Sequence, residues 1–238
     1  MSRIHDLPLT RLQFQVTTEY PCGYLEGQLA RSLVAVPMQV IDTAIYGELV
    51  RLGFRRSGRY VYRPHCAACQ ACVPVRLNVA DFQPTRSQRR AWRQHHQLTA
   101  IEMAPAFAAE QFELYAHYQK SRHVDGGMDH DDPGQYRSFL MQSDVHTRLV
   151  EYRAGDALKM VSVMDQLADG LSAVYTFYDP EPQASYGTYA VLWQVERCRA
   201  LGLPYLYLGY WIRDSRKMAY KSNFQPLERY VDGAWKPF

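Results

Sequence analysis

At 238 residues, with 47 % hydrophobic and 21 % charged side chains and a net charge of +3, the chain has a globular composition and enough length for one large domain or two small ones. So small a net charge excludes a histone-like polycation, and any polyanionic partner has to meet a local patch. No apolar run approaches the roughly 20 residues that span a bilayer, the opening MSRIHDLPLT lacks the apolar block of a signal peptide, and five cysteines, three of them crowded together, fit a reducing compartment; a cytoplasmic protein without membrane contact is expected.

From Leu12, LQFQVTTEY alternates as a strand does, and PCGYLEGQLARSLV, with Pro21, Gly23 and Gly27, reads as a structured loop. Ile41, Ile45, Leu49 and Leu52 recur at helical spacing before Gly53, which predicts an amphipathic helix over 40–52. FRRSGRYVYRP turns at Ser57-Gly58 and predicts a hairpin that delivers the chain to Cys66, Cys69 and Cys72. These thiols, with Cys22 or His65 as a fourth ligand, have the donor chemistry for zinc or an iron–sulfur cluster; reduced thiols packed in the core are the plainer alternative.

VRLNVADF predicts a strand, and Pro84 with Thr85 or Ser87 opens a helix in which Arg86, Arg89, Arg90 and Arg93 fall on one face. A stripe built only of planar guanidinium forks suits a phosphate backbone, whereas an ordinary solvated helix face is the alternative. A further helix is expected over 106–123, ended by VDGGMDHDDPG. HTRLVEYR, ALKMVSVMDQL and LSAVYTFYD, joined by short Gly/Asp connections, predict an antiparallel meander. A helix over 189–201 is closed by Gly202 and Pro204, YLYLGYWI is a β-prone run, and RDSRKMAYKSNFQPLERY reads as a basic, tyrosine-bearing tail.

The expected class is α+β. An N-terminal α+β lobe carrying the cysteine cluster (1–105) precedes an acyl-transfer domain (106–238) with a mixed, mainly antiparallel sheet. Three antiparallel strands, a helix and a further strand form the core order of the N-acetyltransferase-like (GNAT-like) fold, which by itself names no substrate.

The segments CGYLEGQLAR, YRPHCAACQACVPVR, FQPTRSQRR, YQKSRHVDGGM, YTFYDPEPQASYGTYA, YLGYWI and KMAYKSNFQPLE, in this order over nearly the whole chain, resemble the aminoacyl-tRNA protein transferases and, within them, the bacterial aspartate/glutamate leucyltransferases. The resemblance implies transfer of an aminoacyl group from its tRNA ester to the α-amino group of proteins that begin with Asp or Glu, which marks them for N-degron degradation. Its bacterial branch implies leucyl-tRNA as donor, and its eukaryotic relatives use arginyl-tRNA. Those relatives carry a second cysteine where Leu25 stands here, so their iron–sulfur cluster does not carry over unchanged, although Cys22, Cys66, Cys69 and Cys72 keep four-thiolate chemistry. Transfer itself requires no cofactor, because the ester is already activated.

Site residues follow from the fold class and the resemblance together. Tyr178 and Asp179 stand at a strand end where this class holds its reacting groups, with a simple Asp-Pro turn as the alternative. Ser185, Gly187, Thr188 and Tyr189 open the next helix, whose amides suit an anion or oxyanion, or merely cap it. Arg122 and His123, with Lys217, Tyr220 and Lys221, are candidates for the acceptor carboxylate and the tRNA end. Tyr207, Gly209, Tyr210 and Trp211 are candidate walls for the donor side chain, or ordinary strand packing. A CoA-dependent N-acetyltransferase is disfavoured, because Ala184, Gly187 and Tyr189 replace the Arg/Gln, Gly and Gly/Ala of a CoA loop. An RNA-binding thiol redox sensor is the reading from another class.

Overall fold

The computed structural model describes residues 12–122 and 132–238. Strands β1 (Gln13–Val16), β2 (Tyr20–Pro21), β3 (Leu29–Ala30) and β4 (Ser32–Val36) come first, so the segment expected as a loop contains a two-residue ladder, β2 with β3, and the start of a full strand. Helix α1 (Thr43–Arg51) begins where the Asp42 carboxylate accepts the Ile45 amide at 2.9 Å, and it buries Ile45, Tyr46, Leu49 and Val50. The predicted hairpin follows as β5 (Arg55–Ser57) and β6 (Tyr60–Pro64), which completes a four-stranded sheet in the order β1-β4-β6-β5.

Beyond the cysteine segment lie β7 (Val73–Asn78), α2 (Arg86–His95), β8 (Thr99–Met103) and α3 (Ala109–Arg122). Thr85 and Gln88 cap α2 reciprocally, each side chain bonding the other's amide, so the entry chemistry read from sequence is the entry used. A single turn, α4 (Pro133–Tyr136), runs into a π-helical turn over Arg137–Met141. The meander is β9 (Thr147–Ala154), β10 (Ala157–Gln166) and β11 (Gly170–Tyr178), antiparallel throughout. Helix α5 (Tyr186–Ala200) crosses to β12 (Tyr205–Trp211), which is parallel to β11. The segment expected as a basic tail forms a 3-10 turn over Ala219–Asn223 and a hairpin of β13 (Leu227–Val231) and β14 (Ala234–Pro237).

These strands build an eight-stranded sheet in the order β14-β13-β7-β12-β11-β10-β9-β8, and β11 with β12 is its parallel pair. Residues on either side of position 105 contribute to it, since β7 lies between β13 and β12 and β8 pairs with β9. Residues 1–105 and 106–238 therefore share one sheet. Alternation along β9 sends Leu149 to the face covered by α3 and α4, and Val150 and Tyr152 to the face covered by α5 and α2. Among the described residues no helix is long and apolar enough to cross a membrane.

The smaller sheet is tied to the larger by a buried ion pair. Arg56 on β5 donates from Nε and Nη2 to the two oxygens of Asp165 on β10, at 2.7 and 2.6 Å, with the side chains 1 % and 0 % exposed. Thr147 on β9 joins both partners, accepting from Arg56 at 2.9 Å and donating to Asp165 at 2.7 Å. Such a network fixes register more than it adds net stability, but removing one partner strands the other charge in the core. Arg56→Ala is expected to lower the unfolding free energy by about 3–5 kcal/mol, read as a shift of the urea midpoint with an unchanged slope.

Candidate active site

The site begins at a defect in the sheet. β11 and β12 pair only through Gly170–Ser172 and Tyr205–Tyr207, although both strands run on. Each carries a bulge where they part: Val174 is the extra residue of β11 against β10, and Leu208 that of β12 against β7. Bulges bend strands, and Gly209, at φ +73°, supplies backbone that other residues adopt only under strain.

Between the parted strands opens a cleft of about 1460 Å³. Ala173 to Thr176 form one wall, Leu208 and Tyr210 the other, and the start of α5, the cysteine segment and the turn before β13 close round it. Tyr178, Ser185, Gly187, Thr188, Arg122, Lys217, Tyr220, Lys221 and Tyr210 all line this space. So do Cys22, Cys66, Cys69 and Cys72, which are distant in sequence from those residues.

Other candidates lie elsewhere. The Asp179 carboxylate is bound by Lys159 at 3.2 Å and does not line the cleft. Tyr189 is 2 % exposed and packs on Trp92 and Tyr152 inside the α2/α5 core. Tyr207 is buried, its hydroxyl donating to Asp169 at 2.9 Å, and with Gly209 it borders a small adjoining cavity that shares Arg55, Val174 and Tyr210 with the cleft. Trp211 donates its indole N–H to the Ala219 carbonyl at 3.2 Å. His123 lies outside the described residues.

Arg86, Arg89, Arg90 and Arg93 are exposed along α2 and make no ion pair among the described residues; Arg89 reaches the Pro84 carbonyl at 2.6 Å. The opposite face of α2 buries Gln88, Ala91 and His95. His95 stacks on Tyr186 with centroids 4.3 Å apart, and its Nε2 is hydrogen-bonded to the Ala184 carbonyl. Ala184 and Tyr186 line the cleft, so the buried face of α2 is bonded to backbone at the cleft's edge while its basic face points outward.

The Cys22, Cys66 and Cys69 thiols lie near enough to Cys72 to disfavour its ionisation. Burial, and then Cys22, Cys66 and Cys69, push the Cys72 thiol up to about 12, so it is protonated at neutral pH. Among the described residues, however, no three Cys, His, Asp or Glu side chains are arranged as a metal ligand set. The thiols as packed here do not fit a metal or cluster, and no chemistry is derived through one.

The residues sequence reasoning missed are Arg55 and, of the phenols round it, Tyr24 and Tyr62. Arg55, half-buried, faces the cleft with Tyr24, Tyr62 and Tyr210, its guanidinium 5.7 Å from the Tyr210 ring centroid. Lys221, 5 % exposed, donates to the Tyr210 carbonyl at 2.6 Å. Burial, and then the charge on Arg55, hold its amine well below the ordinary lysine value. A period-2 strand sends adjacent side chains to opposite faces, so Arg55-Arg56 was the available signal: with Arg56 inside, Arg55 had to point elsewhere.

Family profiles match this chain in two blocks, one described as the N terminus of arginine-tRNA-protein transferase over residues 20–90, the other as its C terminus over residues 110–231. The chain belongs to the arginine-tRNA-protein transferase family. Two similar relatives, from Nitrosospira multiformis (54 % identical, covering 99 % of this chain and 94 % of the relative) and Methylobacillus flagellatus (55 %, covering 96 % and 93 %), are both named aspartate/glutamate leucyltransferase. Among solved structures, L-PGS from Bacillus licheniformis aligns with 60 % of this chain and 46 % of its own at 8 % identity and a TM-score of 0.45, too loose to carry an argument.

For a transferase of this family, the bare face of Gly209 matters in two ways. A Cβ there would stand 3.2 Å from Arg55 Nη1, and the left-handed backbone resists any side chain. Gly209→Ala is expected to displace the Arg55 fork and to cost about 1–3 kcal/mol of stability, read as a lower urea midpoint.

Proposed function

We propose that this chain, acting in the cytoplasm, transfers leucine from leucyl-tRNA to the α-amino group of proteins that begin with Asp or Glu and so marks them for degradation. Relatives sharing more than half of its residues over almost the full length carry the corresponding name. The observation that carries the reading is a cleft that holds Arg55 and Lys221 without an ion pair among the described residues, beside a helix with an exposed arginine face. In this assignment residues 106–238 are the N-acetyltransferase-like transfer unit, supported by the meander, the α5 crossover and the parted strand β12. Residues 1–105 supply the cysteine segment and the tRNA-contacting helix.

The chemistry asks mainly for positioning. The donor is an activated ester, and a free α-amine titrates near pH 8, so a fair fraction is nucleophilic at neutral pH. Attack forms the C–N bond, and collapse of the tetrahedral intermediate breaks the ester C–O bond. The terminal ribose hydroxyl departs with the proton the amine gives up. Amides in the first turn of α5, where Gly187 and Thr188 line the cleft, suit the developing oxyanion. Tyr178, packed edge to face on Tyr118 at 4.9 Å, and Tyr220 offer ring faces to the terminal base and hydroxyls for proton relay. Asp179, held by Lys159, helps shape the strand end behind Tyr178.

Cleft chemistry favours leucine over arginine as donor. An arginyl side chain needs a buried, unpaired carboxylate. The acids among the described lining residues are Glu181 and Asp232, paired with Lys159 at 2.7 Å and Lys236 at 2.9 Å. Apolar surface from Val174, Val191 and Leu208 is present instead.

Two measurements test this. Labelled leucine, against labelled arginine, offered from total charged tRNA to peptides beginning with Asp, Glu or Ala, should appear on the Asp and Glu peptides only; arginine there, or no transfer, would overturn the donor or the reaction. Replacing Arg86, Arg89 and Arg90 by Ala should weaken tRNA binding and flatten its log–log salt dependence by about 0.7–0.9 for each phosphate no longer neutralised, with peptide KM unchanged. Wild-type salt dependence in that variant would remove the stripe from the tRNA path.

A further inference from the structure

We infer that Arg55, with Lys221 beside it, forms the subsite that reads the acidic side chain of the acceptor's first residue, an assignment that rests on the transferase reading. Its neighbour shows what is unusual. Arg56 has both carboxylate oxygens of Asp165 within hydrogen-bond distance, whereas Arg55 has no ion pair among the described residues. Of its donors, Nη2 reaches the Val174 carbonyl at 3.3 Å, and Nε is buried with no acceptor. The phenols about it cannot supply the missing charge, because burial raises Tyr24, Tyr46 and Tyr210 and keeps them neutral. They leave the cation uncompensated, with the face of the Tyr210 ring 5.7 Å from it.

A guanidinium so placed is costly until a ligand brings the negative charge. Arg55 and Lys221 both line the cleft, and Gly209 lets them lie side by side: Arg55 Nη1 and Lys221 Nζ are 3.2 and 3.9 Å from the point where its Cβ would stand, so a guanidinium fork and an amine are presented together. A carboxylate is the anion of matching size, and a planar fork binds both its oxygens. The phosphates of a tRNA backbone have the exposed α2 stripe instead, and the position of Arg55 between phenols suits a single short side chain.

The test compares wild-type protein with Arg55→Gln and Arg55→Lys, transferring labelled leucine from leucyl-tRNA to two peptides that differ only in beginning with Asp or Asn. Arg55→Gln should raise the KM for the Asp peptide by about tenfold or more, the scale of a lost charge-assisted hydrogen bond. It should also shrink the Asp-to-Asn preference, with leucyl-tRNA binding within about twofold of wild type. An unchanged preference alongside normal tRNA binding would overturn the inference, as would loss of tRNA affinity with the peptide preference intact. Should the Gln variant fail to fold, Arg55→Lys keeps the charge inside its phenol cage and removes the fork: a raised Asp-peptide KM supports the subsite, and a wild-type KM rejects it. Wild-type transfer to the Asp peptide is the internal control, since its absence would overturn the transferase reading itself.

Discussion

The molecule is organised by two parallel strands that pair briefly and then separate. Every other neighbour in the large sheet is antiparallel, but β11 and β12 share only the short ladder of Gly170–Ser172 with Tyr205–Tyr207. Parting two strands of a sheet exposes backbone groups that must find new partners. Here the carbonyl of Val174 accepts from Arg55 at 3.3 Å and that of Tyr210 from Lys221 at 2.6 Å. The donors that satisfy the broken sheet are thus donors that line the cleft, and the opening cannot close without stripping both of their acceptors.

The adjacent arginines of β5 divide this work. Arg56 is neutralised in a dry network that fastens the small sheet to β9 and β10, and this fixes where β5 lies relative to the split. Arg55 is consequently delivered to the cleft on the other face of the same strand. Holding a charge half-buried with hydroxyls and ring faces but no counter-ion costs free energy that a well-packed apolar side chain would not. Such a cost is tolerable because the anchoring network is only one residue away, so the strand cannot swing to let the guanidinium back into water.

Much of the scaffold was legible because it obeys local rules. Thr85 and Gln88 announce the start of α2, Gly202 ends α5, and alternation along HTRLVEYR and ALKMVSVMDQL marks the meander. The β13–β14 hairpin was legible too and was overlooked: Asp232-Gly233, both at positive φ, is the two-residue turn such a hairpin needs, but the basic residues before it disguised the strand. β8 had no usable pattern, since TAIEM is an exposed edge strand whose partner alone makes it β. Site residues were harder. Lys217, Tyr220 and Lys221, chosen from a family motif, line the cleft, whereas Asp179 is bound by Lys159 and Tyr189 lies on the buried face of α5, placements that depend on tertiary partners and not on local pattern. Arg55 was signalled only by its place beside Arg56, because what it faces lies on a strand 119 residues away, the sequence separation of its bond to Val174.

The arginine face and the cleft are mechanically continuous. α2 grips α5 through an aromatic layer of Trp92, His95, Tyr186 and Tyr189, and His95 holds the carbonyl of Ala184, the residue just before the α5 cap. The outer face of α2 is therefore referenced, through one helix thickness of packed side chains, to the first turn of α5 beside the cleft. Ring-on-ring packing of this density transmits position with little slack. For the proposed transfer, whose donor is already activated, a rigid reference between the arginine face and the cleft is the main contribution a protein can make.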